Sequence, residues 1–407
     1  MAVSTELGTY AQSFDERIAL ILAPAAERVP ALAERLRAAG LEPSELTSID
    51  ELDRIQILTK DDLVEVQAAA PPFGGLLGTD ASVRRIFQSP GPLYEPELDE
   101  PDPWRWRPAL EAAGFQSGEI VLNAAGYHLT PLGAMLEEGV RALGGVVVPG
   151  GVGNLDLQVR ACVDLGATAY VGLPSYLKAL LDKADELDVG SSLKLERAFV
   201  LAEPLPPSLR ALLEERVRVV CQGYGTAEGG NLGYECERKA GFHVPDDALV
   251  EVCDLDTGRA LWNGEEGQVV FTLFRAQYPL VRIGTGDLSA FVPEPCECGR
   301  ATPRIAGWLG RVGEAVKVRG MFLHPRQLRS VMSEIPEVTA YTFLVEREEH
   351  RDRLRCELVA AADADAAAVV EAVRERVRSA LRFNADVEAV ESLDADAPAL
   401  VDTRTWE

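Results

Sequence analysis

The sequence predicts an α/β protein in two parts: a large N-terminal domain on a largely parallel sheet with a β-rich module, then a small α+β domain. Three features carry that expectation. Between residues 108 and 220, helix-patterned and strand-patterned segments alternate, the pattern of a parallel sheet with helical crossovers. From 245 to 295 the segments shorten into strands and turns. After about 311 the order becomes helix, strand, strand, helix, strand. The boundary is expected at residues 1–310 and 311–407.

Taken in order, residues 15 to 45 show apolar positions at three- and four-residue spacing and predict helix. The Pro-, Gly- and acid-rich stretches AAPPFGGLLG and SPGPLYEPELDEPDPW, between about 70 and 105, predict loops. Next come PALEAAGF and EIVLNAAGY, PLGAMLEEGVRALG and GVVVPGG, LDLQVRACVDLG and ATAYVGLP, PSYLKALLDKADELD and LERAFVLAEP, each a helix followed by a strand. The β-rich module reads ALVEVCDLDTG, EEGQVVFTLF and YPLVRIGTGDLSAFV. In the last part PRQLRSVMSEI and DAAAVVEAVRERVRSAL predict helices; VTAYTFLVERE, RLRCELVAA and DVEAVESL predict strands.

With 407 residues, 47% of them hydrophobic, the chain can bury a substantial core. A formal net charge of −25 excludes nucleic acid and anionic membranes as partners. An anionic substrate must therefore meet a locally positive site. The first residues carry acids ahead of a short apolar run, unlike a secretory signal, which predicts a cytoplasmic protein. Seven scattered cysteines argue against a disulfide framework.

Cys296 and Cys298 are separated by one residue. A disulfide across that gap would be strained, whereas two thiolates suit one metal ion. Cys236 and His243 would complete a Cys₃His set, which fills the four positions of structural zinc. The same residues could also be small buried side chains that cluster. Cys162, Cys221, Cys253 and Cys356 read as ordinary buried thiols.

A second constellation is CQGYGTAEGG, residues 221 to 230. Its glycines allow close backbone approach to a ligand, Tyr224 offers a stacking face and Glu228 a carboxylate for Mg²⁺; a plain strand and turn would read the same way. Further on, Asp287 ends a strand pattern with a carboxylate suited to two ribose hydroxyls.

The succession AEP, YGTAE, RIGTGD, CECGRATPRI and GRVGEAVKVRG resembles the adenylate-forming superfamily, and within it the phenylacetate–CoA ligase family. The resemblance spans nearly the whole chain, including SIDELDRIQILTKDDL, GLPSYLKALL and HPRQLRSVM. It implies a large adenylate-forming domain with a mobile lid. The implied reaction activates a carboxylic acid, aryl or arylacetic in class, as its acyl-AMP and then transfers the acyl group to coenzyme A. By this resemblance Ala202, Glu203 and Pro204 line the adenine pocket, with Gly225 and Thr226 beside them. Tyr224 stacks on adenine, Glu228 binds Mg²⁺, Asp287 holds ribose, and Arg311 opens the lid segment with a catalytic role. Tyr127, His128 and Tyr176 shape the acid pocket. The family's zinc pattern matches Cys236, His243, Cys296 and Cys298. The implied partners are the acid, an adenine nucleotide and coenzyme A, and a homodimer is allowed.

The sequence departs from the family's pattern at several places. The phosphate loop corresponds to FQSPGPLYEP, where Pro90, Pro92 and Pro96 lack N–H donors and Glu95 opposes phosphate. The last of six lysines is Lys317, so the lid lacks its usual terminal lysine. Ala227 stands where a hydroxyl is usual, with Thr226 displaced by one position, and Gly313–Glu314 replaces the acidic hinge. Arg311 and Arg319 would supply positive charge. These changes sustain an alternative: a member deficient in adenylation that binds AMP or an acyl-adenylate, as a regulator or in thiol transfer alone.

Overall fold

The computed structural model describes residues 5–89, 93–313, 316–318, 321–323, 325–348, 351–381, 383–394 and 397–404. The chain forms two compact units, Met1–Trp308 and Leu309–Glu407.

In the first unit, alternating segments give a nine-stranded sheet. Its parallel half runs, in spatial order, Val146–Pro149, Ile120–Asn123, Ala169–Gly172, Arg197–Val200 and Val219–Thr226. The sheet continues antiparallel through Gly230–Tyr234, Phe242–His243, Arg304–Ile305 and Phe291–Val292. The central strands are apolar because helices cover them. Helix Leu132–Ala142 buries Gly133, Leu136, Gly139 and Val140, a three- and four-residue stripe, with Ala134 and Met135 beside it. Its Gly139 passes so close to Trp106 that an added Cβ would lie 2.7 Å from that side chain. Trp106 meets Phe199 edge to face at 5.8 Å. Each such large side chain contributes about 1.5–3 kcal/mol by leaving water.

The chain passes from Ile120–Asn123 outward to Val146–Pro149 and then back across to Ala169–Gly172. That reversal makes a switch point, and clefts in such sheets open beyond the carboxyl ends of the strands flanking it. The segments that follow those two strands contain Tyr127, His128 and Tyr176.

The β-rich module pairs Ala248–Cys253 with Gly267–Leu273 and that strand with Ile283–Ser289, all antiparallel. Helix Lys60–Ala69 starts with a capping box: the Thr59 hydroxyl accepts from the Asp62 N–H, and Asp62 accepts from the Thr59 N–H at 2.8 Å. This fixes Lys60 at the first helical position.

The second unit carries a sheet ordered Ala385–Ala389, Arg351–Ala360, Val338–Glu348 and Leu400–Asp402. The central pair is antiparallel and the outer strands run parallel to their neighbours. Helix Ala366–Leu381 buries Val369, Val373 and Val377, one residue per turn, in the core that also contains Phe343, Leu354 and Leu358.

Residues 15 to 45 are helical as expected: a continuous run Asp15–Ala25 that widens to a π-helix at Ile18–Leu22, then helix Pro30–Ala38, begun by its proline, and the 3₁₀ turn Pro43–Glu45. The structure corrects the local expectations in two places. The expected loop between 70 and 105 contains a hairpin, Val83–Ser89 with Leu93–Leu98. Its alternation in VRRIFQS was obscured by flanking proline and acid. Leu400–Asp402 adds a strand too short to leave a pattern. Among the described residues, no helix is long and apolar enough to cross a membrane.

Candidate active site and metal centre

Cys236, His243, Cys296 and Cys298 converge, their ligand atoms all within 4.8 Å of one another. His243 sits on a two-residue strand paired to Tyr234 on one side and Arg304 on the other. Cys236 follows the first of these partner strands, and Cys296 and Cys298 lie in the turn before the second. The Cys236 and Cys296 sulfurs are 3.8 Å apart, and Cys298 Sγ is 3.3 Å from His243 Nε2. Two thiolates at the zinc–sulfur distance on a tetrahedral ion stand about 3.8 Å apart, so the spacing fits zinc and is far from a disulfide. His243 Nδ1 faces the Thr302 carbonyl at 3.2 Å. That hydrogen bond places the proton on Nδ1 and leaves Nε2 to a metal. Burial raises the Cys236 thiol to about 11. Burial also works to raise Cys298, but hydrogen bonds from the Arg300 backbone and guanidinium and from the neighbouring thiols outweigh it and bring it to about 7. The other cysteines, Cys162, Cys221, Cys253 and Cys356, are buried and free.

At the carboxyl ends of the parallel strands, Val200 pairs with Gln222. The Ala202–Pro204 turn and the Gly223–Thr226 segment are therefore neighbours. Gln222 Nε2 donates to the Glu203 carbonyl at 3.1 Å, and Ser175 N–H donates to the Glu203 carboxylate at 3.3 Å. Ala202 is exposed in a left-handed conformation with φ 66°. Gly225 passes against the Gly230 carbonyl, where an added Cβ would stand 2.0 Å from the oxygen. The Thr226 hydroxyl accepts from Gly229 N–H at 2.9 Å and closes the turn that carries Glu228.

Tyr224 donates from its hydroxyl to Asp287 Oδ2 at 3.1 Å, bringing two candidate nucleotide residues together across 63 positions of sequence. Asp287 Oδ1 accepts from the Trp308 indole N–H at 3.1 Å. Glu228 is buried, and neither of its carboxylate oxygens accepts a hydrogen bond among the described residues. Its charge is met by Lys60, with Nζ 3.1 Å from Oε1. A buried carboxylate whose partner among the described residues is one lysine ammonium keeps lone pairs for a metal cation.

Glu95 is buried on the hairpin, with its carboxyl 3.4 Å from the Ser89 hydroxyl and 3.5 Å from the Tyr278 hydroxyl. Burial, then the Glu228 charge, push its carboxyl well above the usual range. Pro96 lies on the same strand and pairs with Ile86. Pro90, Pro92, Glu314, Arg319 and Gly320 lie outside the described residues, as does the Lys317 side chain.

In the candidate acid pocket, the Tyr127 hydroxyl accepts from Asn123 Nδ2 at 2.8 Å and donates to Glu137 at 2.9 Å. Tyr176 donates to the Gly153 carbonyl and accepts from the Gly153 N–H, both at 2.9 Å. These hydroxyls are held by the protein, so the two rings offer walls. His128 is exposed next to Tyr127 on the loop after Ile120–Asn123, and Arg311 is exposed at the start of the second unit.

Residues 128–272 match the family of AMP-binding enzymes. A phenylacetate–coenzyme A ligase of Thermus thermophilus is 33% identical over 349 residues, covering 82% of this chain and 78% of its own. The chain belongs to the phenylacetate–coenzyme A ligase family. The ligase of the same name from Escherichia coli is 27% identical and aligns with 83% of this chain and 80% of its own. In fold, the chain is similar to an open conformation of 2-hydroxyisobutyryl-CoA ligase, with a TM-score of 0.86 at 23% identity, over 96% of this chain and 91% of that one.

For this phenylacetate–coenzyme A ligase family member, sequence reasoning missed Trp308 and Lys60. Each left a trace: an indole among glycines in RIAGWLG, and a capping box that seats a lysine in LTKDDL. It singled out Glu95 as a charge but gave no sign that the carboxyl is buried.

Proposed function

We propose that this protein joins a carboxylic acid, aryl or arylacetic in class, to coenzyme A through an acyl-AMP. The acid's carboxylate oxygen attacks the α-phosphorus of ATP, forming a P–O bond as pyrophosphate leaves. The sulfur of coenzyme A then attacks the acyl carbon, AMP departs with the C–O electron pair, and the thiol proton passes to solvent. Tyr224 and Ala202–Pro204 would hold adenine, with Gly225 and Thr226 shaping the turn; Asp287 would hold ribose. Glu228 would hold Mg²⁺, which supplies charge neutralisation at the phosphates. Tyr127, His128 and Tyr176 would bound the acid, and Arg311 would act from the lid. The observation that carries this reading is the Tyr224–Asp287 hydrogen bond at the nucleotide motifs of a chain in this family. Pyrophosphate exchange with a panel of aryl and alkyl acids, run beside calorimetry with AMP, tests it. Acid-dependent exchange is expected. No exchange with any acid and no AMP binding would overturn it.

A second reading is favoured by one observation, the buried Glu95 carboxyl near Glu228 where a triphosphate needs positive charge. In it, the protein accepts a preformed acyl-AMP, and thiol transfer outlasts adenylation.

The Cys₃His set is read as structural zinc, because four protein ligands leave no open position for chemistry. Free cysteines and a coenzyme A substrate fit a cytoplasmic location.

A further inference from the structure

Asp287 is held more closely than a ribose ligand alone requires. It lies on strand Ile283–Ser289 just after Gly286, whose φ of +75° and the shift in pairing opposite Gln268–Val270 turn the strand locally. The Asp287 N–H donates to the Thr285 hydroxyl at 3.0 Å, and that hydroxyl donates to the Val269 carbonyl at 3.0 Å. The carboxylate is then gripped from two other segments, by Tyr224 on Oδ2 and by Trp308 on Oδ1. An ionised carboxylate only accepts and an indole N–H only donates, so the Trp308 bond has one possible direction.

The chain also directs Trp308 toward this carboxylate. Gly307, with φ +93°, runs against the Phe242 ring, where an added Cβ would come within 2.7 Å. Only glycine lets the backbone pass there and deliver the next side chain toward Asp287. Trp308 is half-buried and is the last residue of the first unit.

We infer that Trp308 is a positioning residue for the nucleotide, its indole N–H fixing the plane of the Asp287 carboxylate for the ribose hydroxyls. This rests on the reading that Asp287 holds ribose. A carboxylate free to rotate loses part of its grip on two hydroxyls at once, whereas one clamped at both oxygens is already oriented when the nucleotide arrives. Removing the indole N–H leaves the Tyr224 arm on Oδ2 and its ring in place, so the effect is confined to the ribose.

The experiment is calorimetry with AMP and with 2′,3′-dideoxy-AMP, on the wild-type protein and on Trp308→Phe, which keeps a ring and removes the N–H. Wild type should bind AMP more tightly than the dideoxy nucleotide. Trp308→Phe should lose about tenfold in affinity for AMP and little for the dideoxy form. An equal loss with both nucleotides would make Trp308 a structural residue and overturn the inference, as would unchanged AMP affinity. If wild type binds both nucleotides equally, the assignment of Asp287 to ribose fails as well, and the inference with it. Thermal melts of the two proteins establish that the variant is folded.

Discussion

The two ends of the candidate nucleotide site are built in opposite ways. Around Asp287, a single carboxylate receives neutral donors from Tyr224 and Trp308. Around Glu228, two buried carboxyls lie near each other with Lys60 as an ion-pair partner, and among the described residues Glu228 accepts no further hydrogen bond. The first end is satisfied before a ligand arrives. The second carries a desolvation cost that a cation would relieve and that phosphate would worsen. Recognition of a nucleoside and stabilisation of a phosphoryl transfer are separable tasks, and in the proposed reading the residues for the first are kept while the loop for the second is altered.

The largest expected effect concerns the metal that would tie the Cys236 segment to the turn containing Cys296. Chelation, or Cys298→Ser, should lower folding stability by several kcal/mol, on the order of 3 or more, read by denaturant titration with elemental analysis. Metal-free protein of undiminished stability would show the cluster to be four small buried side chains.

Next in size is the ribose end. Asp287→Ala should weaken AMP binding by about 1.5–3 kcal/mol, measured by calorimetry. The contrast between the two ends breaks if the loss is absent.

Glu95→Gln sharpens the contrast from the other side. The folded-state pKa of Glu95 is raised, by burial first and then by Glu228. The folded protein therefore holds a proton that the unfolded chain releases, and stability falls as pH rises from the usual carboxyl value toward the raised one. The variant lacks that slope, so its melting temperature should exceed wild type at pH 8 and the gain should shrink at pH 5. Parallel pH profiles for the two proteins would contradict this. The smallest effect is expected for Tyr224→Phe, about 0.5–1.5 kcal/mol in AMP affinity for one neutral donor, since the ring that would face adenine remains.

Much of this was legible in the sequence where pattern and chemistry agree. Strands such as EIVLNAAGY and ATAYVGLP are apolar because both faces of the parallel sheet are covered, and that leaves an unambiguous run. The four zinc-type ligands could be paired from spacing and residue type alone. The pairing of Val83–Ser89 with Leu93–Leu98 was hidden because proline and acid dominate the local composition, while each strand's partner lies outside its own segment. Trp308 escaped because its role depends on Asp287, 21 residues earlier, and on a turn at Gly307 that only three-dimensional packing defines. The burial of Glu95 was unreadable for the same reason: Tyr278, which faces it, is 183 positions away.

Both functional readings share one claim, that a bound acyl-adenylate is passed to a thiol. The most direct measurement supplies synthetic phenylacetyl-AMP and coenzyme A, with no ATP, and follows thioester formation with AMP release. The account predicts turnover that depends on the protein and falls sharply in Asp287→Ala. Absence of thioester from this mixture, in protein that binds AMP, would contradict it.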